Sequence, residues 1–218
     1  METVVATGTR GEARREVGPL NLDAVGVHNG TDLSSLGRDC LSSCERFFAP
    51  VRDDAFDLLE IGVGSGASLR TWREWFPRAR LTGLDARRIH LDPPIANTTI
   101  EHGNQADPAV LHHLVRGREF RVVIDDGSHR ADDQIQTFLH LFPWLAADAI
   151  YVSAGLGDGT ASGPEAANAA IAWFAAFGGA LVDRTGAHAD FLAQPGVAVA
   201  LHRASGVYLA AGCAIVTA

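Results

Sequence analysis

The sequence predicts a doubly wound α/β fold, in which helices cover both faces of a mostly parallel sheet and an antiparallel hairpin closes its C-terminal end. Three observations predict it. From residue 56 onward, short apolar runs alternate with stretches of helical length, the pattern of a parallel sheet covered on both sides. A glycine-rich turn, Gly62-Val63-Gly64-Ser65-Gly66, joins the first of these runs to the first of these helices. The chain closes on two β-type runs split by Ala204-Ser205-Gly206.

Residues 1–18 are polar, rich in arginine and without period, and are expected to form a mobile tail ahead of one domain over 19–218. Leu33, Leu36, Leu41, Phe47 and Phe48 suit a helix from Leu33 to Phe48, ended by Pro50. Phe56 to Ile61 is the first strand, and Ala67 to Phe76 the helix after its turn. Leu81 to Leu84 and Thr98 to Glu101 are the second and third strands. Asp107-Pro108 opens a helix to Val115, with Asp107 as cap and proline at the first helical position. Phe120 to Ile124 is a fourth, continuous apolar strand, and Ala131 to Trp144 a helix. Ala149 to Val152 is the fifth strand, and Pro164 to Phe177 an Ala-rich helix. Val197 to His202 and Val207 to Ala211 make the closing hairpin.

Composition narrows the chemistry. With 218 residues, 47% hydrophobic and 20% charged, the chain can bury a sizeable core. Its net charge of −8 argues against nucleic acid as a partner, because phosphate binding needs clustered cations. No apolar run reaches the length of a membrane span, and no secretory leader is evident. All 18 basic residues are arginine, which removes Schiff-base chemistry and lysine-bearing phosphate loops. Abundant Ala, Gly and Arg suggest a bacterium with a GC-rich genome. Three cysteines, an odd count without a framework, read as reduced thiols in a cytosol. Cys40 and Cys44 would share one helix face as small apolar residues.

The glycine turn is the first candidate site. Gly62, Gly64 and Gly66 free the backbone for positive φ and for close approach of a ligand, which in such sheets sits beyond the carboxyl ends of the strands. Gly62, Gly64 and Ala67 also fit a dinucleotide pattern, a weak match alone. Glu60, an acid inside the strand end, could meet the amino group of a methionine moiety, and so favours S-adenosylmethionine (SAM) over a nicotinamide cofactor. Ser68 opens the helix beside the turn. Asp85 ends the second strand, where a carboxylate can take both hydroxyls of a ribose in either cofactor class. Asn104 and Gln105, after the third strand, could address an adenine edge or form a polar turn.

The second candidate is Asp125-Asp126-Gly127-Ser128-His129, at the tip of the fourth strand and beside the glycine turn. One carboxylate could ligate a metal or hold the imidazole, and His129 can take a proton near neutral pH. A helix-capping turn with an exposed histidine would explain the same residues.

Together, Gly30-Thr31-Asp32, Leu58 to Gly66, Ser68 to Trp72, Phe76-Pro77, Gly83-Leu84-Asp85 and Asp125 to His129 resemble the SAM-dependent sugar O-methyltransferases of antibiotic biosynthesis. Macrolide and rhamnosyl O-methyltransferases are examples. The resemblance runs from about Leu20 to the C-terminus. It implies a class I, Rossmann-like methyltransferase fold, a small natural-product substrate and a homo-oligomer. It implies cofactor contacts from Glu60, Gly62, Gly64, Gly66, Ser68, Asp85, Asn104, Gln105 and Asp125. It also implies His129 as base, and Mg²⁺ at Asp126 and a Glu-Asp pair ending the next strand; Asp125 or Asp126 could orient the imidazole. This chain departs at the Glu-Asp pair: it reads Tyr151-Val152-Ser153-Ala154-Gly155-Leu156, and the next acid is Asp158.

Three readings follow. The chain is an O-methyltransferase acting on a hydroxyl of a natural-product intermediate, and a phenol or enol acceptor would need no metal. Alternatively it keeps the fold and the SAM site but catalyses a cyclisation, pericyclic step or dehydration. A non-enzymatic partner subunit of an active homologue is the third.

Overall fold

Adjacent residues of the first strand serve different cores, and this alternation organises the molecule. The structure, a computed structural model, describes residues 21–157, 164–183 and 187–218. Strand β1 (Asp57–Ile61) turns Leu58 to one face and Leu59 to the other, both fully buried. It lies mid-sheet with β2 (Arg80–Asp85) and β3 (Thr98–His102) on one side, and β4 (Phe120–Asp125) and β5 (Ile150–Ala154) on the other. All these pairings are parallel. Strands β6 (Gly206–Ala210) and β7 (Cys213–Thr217) add an antiparallel edge beyond β5, in the order β3-β2-β1-β4-β5-β7-β6.

Helices α1 (Leu22–Asn29), α2 (Cys40–Phe48) and α3 (Ala67–Trp75) cover one face. Their Leu22, Leu41, Phe48 and Trp72 pack with Leu58, Val122, Val152 and Ile215 of the sheet. On the other face lie α4 (Pro108–Val115), α5 (Ala131–Leu141), α6 (Pro164–Val182) and α8 (Val197–Arg203), with the short α7 (Ala189–Leu192) between the last two. Phe138 anchors that core, with five aromatic rings at 4.8–5.8 Å. The expected doubly wound sheet is present. The chain runs outward from β1 in one direction and from β4 in the other, so a crevice opens between their carboxyl ends.

Several elements follow the sequence closely. Asp107 Oδ1 accepts from the Ala109 N–H at 2.8 Å, capping α4 with Pro108 at its start. Cys40 and Cys44 share a face of α2, buried, with sulfurs 3.5 Å apart.

Three expectations need correction. The helix expected over Leu33–Phe48 begins only at Cys40. Residues 31–38 instead form a tight turn, in which the Arg38 N–H donates to the Asp32 carbonyl at 2.7 Å. Gly37 permits this closure, since a Cβ there would fall 2.2 Å from that carbonyl. Val197 to His202, expected as a strand, is helix α8. Its buried residues, Val197 and Ala200, recur at helical spacing and pack with α6, so tertiary contacts override the alternating valines. The hairpin therefore turns between Ala210 and Cys213 and uses the last residues of the chain. The expected tail at 1–18 lies outside the described residues. No helix among the described residues is long and apolar enough to cross a membrane.

Candidate active site

The glycine turn after β1 is built to leave its backbone open. Gly62 (φ 88), Gly64 (φ 53) and Gly66 (φ 78) all sit in the left-handed region. Gly62 also lies against the carbonyl of Asp126, and a Cβ there would fall 2.1 Å from that oxygen. At Gly64 a Cβ would meet nothing within 4 Å, because it would point into the crevice.

Asp85, at the end of β2, ties this turn down. Its Oδ2 accepts from the Val63 and Gly64 N–H groups at 3.0 and 3.1 Å, and its Oδ1 from the Arg87 N–H at 2.8 Å. Burial alone would push this carboxyl up. Those three donors and the Arg87 charge outweigh it and hold the group below the ordinary carboxylate range.

Two other acids lie beneath the crevice rather than in it, on opposite faces of the sheet. Glu60 of β1 points toward α3, fully buried, and Trp72 Nε1 donates to its Oε1 at 2.9 Å. Its Oε2 has no hydrogen-bond partner among the described residues. Burial pushes this carboxyl up to about 8, beyond what the neighbouring Ser68 and Trp72 recover. Asp125 of β4 points the other way, toward α5. Gln105 Nε2 donates to its Oδ1 at 3.0 Å and the Tyr151 hydroxyl to its Oδ2 at 3.2 Å. Burial raises it to about 7.

Asp125 is thus fully enclosed and does not line the crevice, contrary to its expected place against cofactor and base. A buried strand end presents alternate residues to opposite faces, and Asp126, one step on, is the acid that reaches the opening. Gln105 lines the cavity, but its side chain is engaged inward. Its amide nitrogen donates to Asp125 and Thr137, and its oxygen accepts the Ser128 N–H at 2.7 Å. It fastens the turn after β3 to the turn after β4, beside Asn104, which also lines the cavity. Asn104 Oδ1 accepts the Ala106 N–H at 2.9 Å.

His129 and Asp126 form the far end of the crevice. His129 Nε2 is 3.1 Å from Asp126 Oδ1. The histidine backbone is left-handed (φ 55), an uncommon state for a residue other than glycine. Its ring closes on Gly155 so nearly that a Cβ there would lie 2.9 Å from it. The turn does not cap α5 through a side chain, since the N-cap is Arg130 without such a bond; Ser128 Oγ instead donates to Asp133 Oδ2 at 2.6 Å in the first turn of the helix.

A cavity of about 610 Å³ joins these parts. Its lining runs from Gly62, Gly64, Ser68 and Asp85 to Asn104 and on to Asp126 and His129. Gly30, Thr31 and Asp32 complete it, together with Arg38, which composition did not single out. A chain whose every basic residue is arginine gives such a group no local signal. Its nearness to the recurring Gly30-Thr31-Asp32 was the available clue.

The expected metal set is not assembled. The end of β5 carries no carboxylate, Asp158 lies outside the described residues, and no three His, Cys, Asp or Glu groups converge among the described residues to hold an ion.

No family model matches the chain. Curated relatives are sugar and macrolide O-methyltransferases. The chain is 36% identical over 118 residues to the 8-demethyl-8-alpha-L-rhamnosyl tetracenomycin-C 2'-O-methyltransferase of Streptomyces olivaceus, covering 50% of this chain and 30% of that protein. It is 37% identical over 117 residues to the mycinamicin VI 2''-O-methyltransferase of Micromonospora griseorubida, covering 50% and 29%. The chain spans about a third of the length of the curated relatives it matches.

Among solved structures, the MycE methyltransferase of the mycinamycin pathway, in complex with Mg, S-adenosylhomocysteine and mycinamycin VI, superposes with a TM-score of 0.76. Identity there is 22%, over 91% of this chain and 54% of that one, a likeness of fold. The chain therefore has the fold of a class I SAM-dependent methyltransferase and, over half its length, is similar in sequence to sugar O-methyltransferases of antibiotic biosynthesis.

Proposed function

We propose that the chain is a SAM-dependent O-methyltransferase acting on a hydroxyl of a natural-product intermediate. The observation that carries this is the single cavity running from the glycine turn and Asp85 to the Asp126–His129 pair, so that cofactor groups and base share one space. The cavity suits SAM chemically. The side-chain-free backbone of the glycine turn and Asp85 face a ribose, and Asn104 lies toward the adenine side. SAM supplies an electrophilic methyl group carried on a sulfonium.

The protein's own part is positioning and one proton. Positioning alone can supply roughly 7–11 kcal/mol in favourable cases. His129, oriented by Asp126, takes the acceptor's hydroxyl proton as the new bond forms. The sequence relatives support a hydroxyl acceptor, a sugar in their case. A homo-oligomer and an intracellular location belong to the same proposal.

The test is incubation with methyl-labelled SAM and extracts of antibiotic-producing cultures. Labelled product and S-adenosylhomocysteine, both lost in His129→Ala, support methyl transfer. Conversion of an intermediate with SAM bound but not consumed would instead favour the cyclisation or dehydration reading. Calorimetry that finds NAD bound in preference to SAM defeats both.

A further inference from the structure

Arg38 reaches the acceptor end of the cavity from the tight turn between α1 and α2. Its Nη2 donates to Asp32 Oδ2 at 2.5 Å and its Nη1 to Asp126 Oδ1. Nη1 also stands 3.4 Å from His129 Nε2. The arginine side chain is only 17% exposed, and Asp126 only 10%. A fixed cation therefore sits, among the described residues, with two carboxylates and an imidazole, the donor types a divalent ion would use. The turn holds it there through the Arg38 N–H bond to the Asp32 carbonyl.

We propose that Arg38 takes the place a divalent cation would hold beside the base, and that this chain works without one. The proposal rests on the methyltransferase reading only for the reaction it serves. A guanidinium is always charged, planar and suited to bridging carboxylates. Mg²⁺ demands near-octahedral oxygen ligands at 2.0–2.1 Å and would have to displace it. Gly155 reinforces the exclusion, because the His129 ring occupies the space a ligating side chain there would need. In this arrangement Arg38 and His129 share one oxygen of Asp126. Arg38 also offers positive charge near the acceptor oxygen as that oxygen loses its proton. A guanidinium is no Lewis acid, so the arrangement suits an already acidic hydroxyl.

Manganese binding tests this without any acceptor. The electron paramagnetic resonance signal of free Mn²⁺ is followed while wild-type chain, Arg38→Lys and Arg38→Ala are added, and folding is checked by circular dichroism. Wild type and Arg38→Lys are expected to leave the signal unchanged. Arg38→Ala, with Asp32 and Asp126 released, is expected to take up about one ion per chain, a gain that a purely structural arginine would not give. Manganese bound by the wild type overturns the proposal, as does a folded Arg38→Ala protein that binds no more than wild type. If Arg38→Ala does not fold, the wild-type titration decides. S-adenosylhomocysteine calorimetry on the same samples reports separately on the cofactor reading, whose failure would leave the manganese result standing.

Discussion

The carbonyl oxygen of Asp126 lies 2.1 Å from the point where a Cβ on Gly62 would stand, so the turns after β1 and β4 touch backbone to backbone. Two glycines of one turn should then respond differently to the same change. Gly62→Ala meets both this contact and a φ of 88, and is expected to lose more than about 3 kcal/mol in urea unfolding. Gly64→Ala meets no atom and carries only the left-handed penalty, roughly 1–2 kcal/mol. Its methyl group enters the cavity, so SAM affinity by calorimetry should fall although the fold survives.

Asp85 accepts from three backbone N–H groups and faces the cavity. Asp85→Ala removes these charged hydrogen bonds together with the ribose acceptor, and SAM affinity is expected to drop roughly 100-fold or more. An affinity within about threefold of wild type would exclude Asp85 from the cofactor site.

Glu60 sets a pH dependence whose sign follows from its environment. Burial raises its folded-state carboxyl from 4.5 to about 8, so between these values the folded chain retains a proton the unfolded chain has released. Its contribution to stability therefore diminishes as pH rises through that window. Glu60→Gln keeps an acceptor for Trp72 and removes the slope. The variant should gain on wild type between pH 5 and pH 8, by up to about 4 kcal/mol in denaturant melts.

His129→Ala is expected to lower methyl transfer by roughly 10²–10⁴-fold, with SAM affinity near that of wild type. Asp126→Asn keeps an oxygen facing the imidazole but removes the charge, and should fall between the two in a single-turnover assay. Equal turnover in all three proteins would remove the base assignment.

The sheet and the glycine turn were legible because strand length, alternation and φ preference are local properties. Helix α1 was legible too but went unread: Asn21 accepts the Ala24 N–H at 2.7 Å and Gly30 (φ 73) stops it, both ordinary signals flanking Leu22–Asn29. The fate of Asp125 was not local. Only the pairing of β4 with its neighbours, and the reach of Gln105 and Tyr151 from distant segments, turns that acid inward while Asp126 faces out. Arg38 is the extreme case, since its partner Asp126 is 88 residues away and no spacing rule connects them.

His129 holds a backbone shape that a side-chain-free residue would adopt more easily. Replacing it with glycine would therefore relax the main chain even as the chemistry disappears. The imidazole holds that shape through its contacts with Asp126 and Gly155, so what glycine would gain in backbone freedom it would lose in contacts.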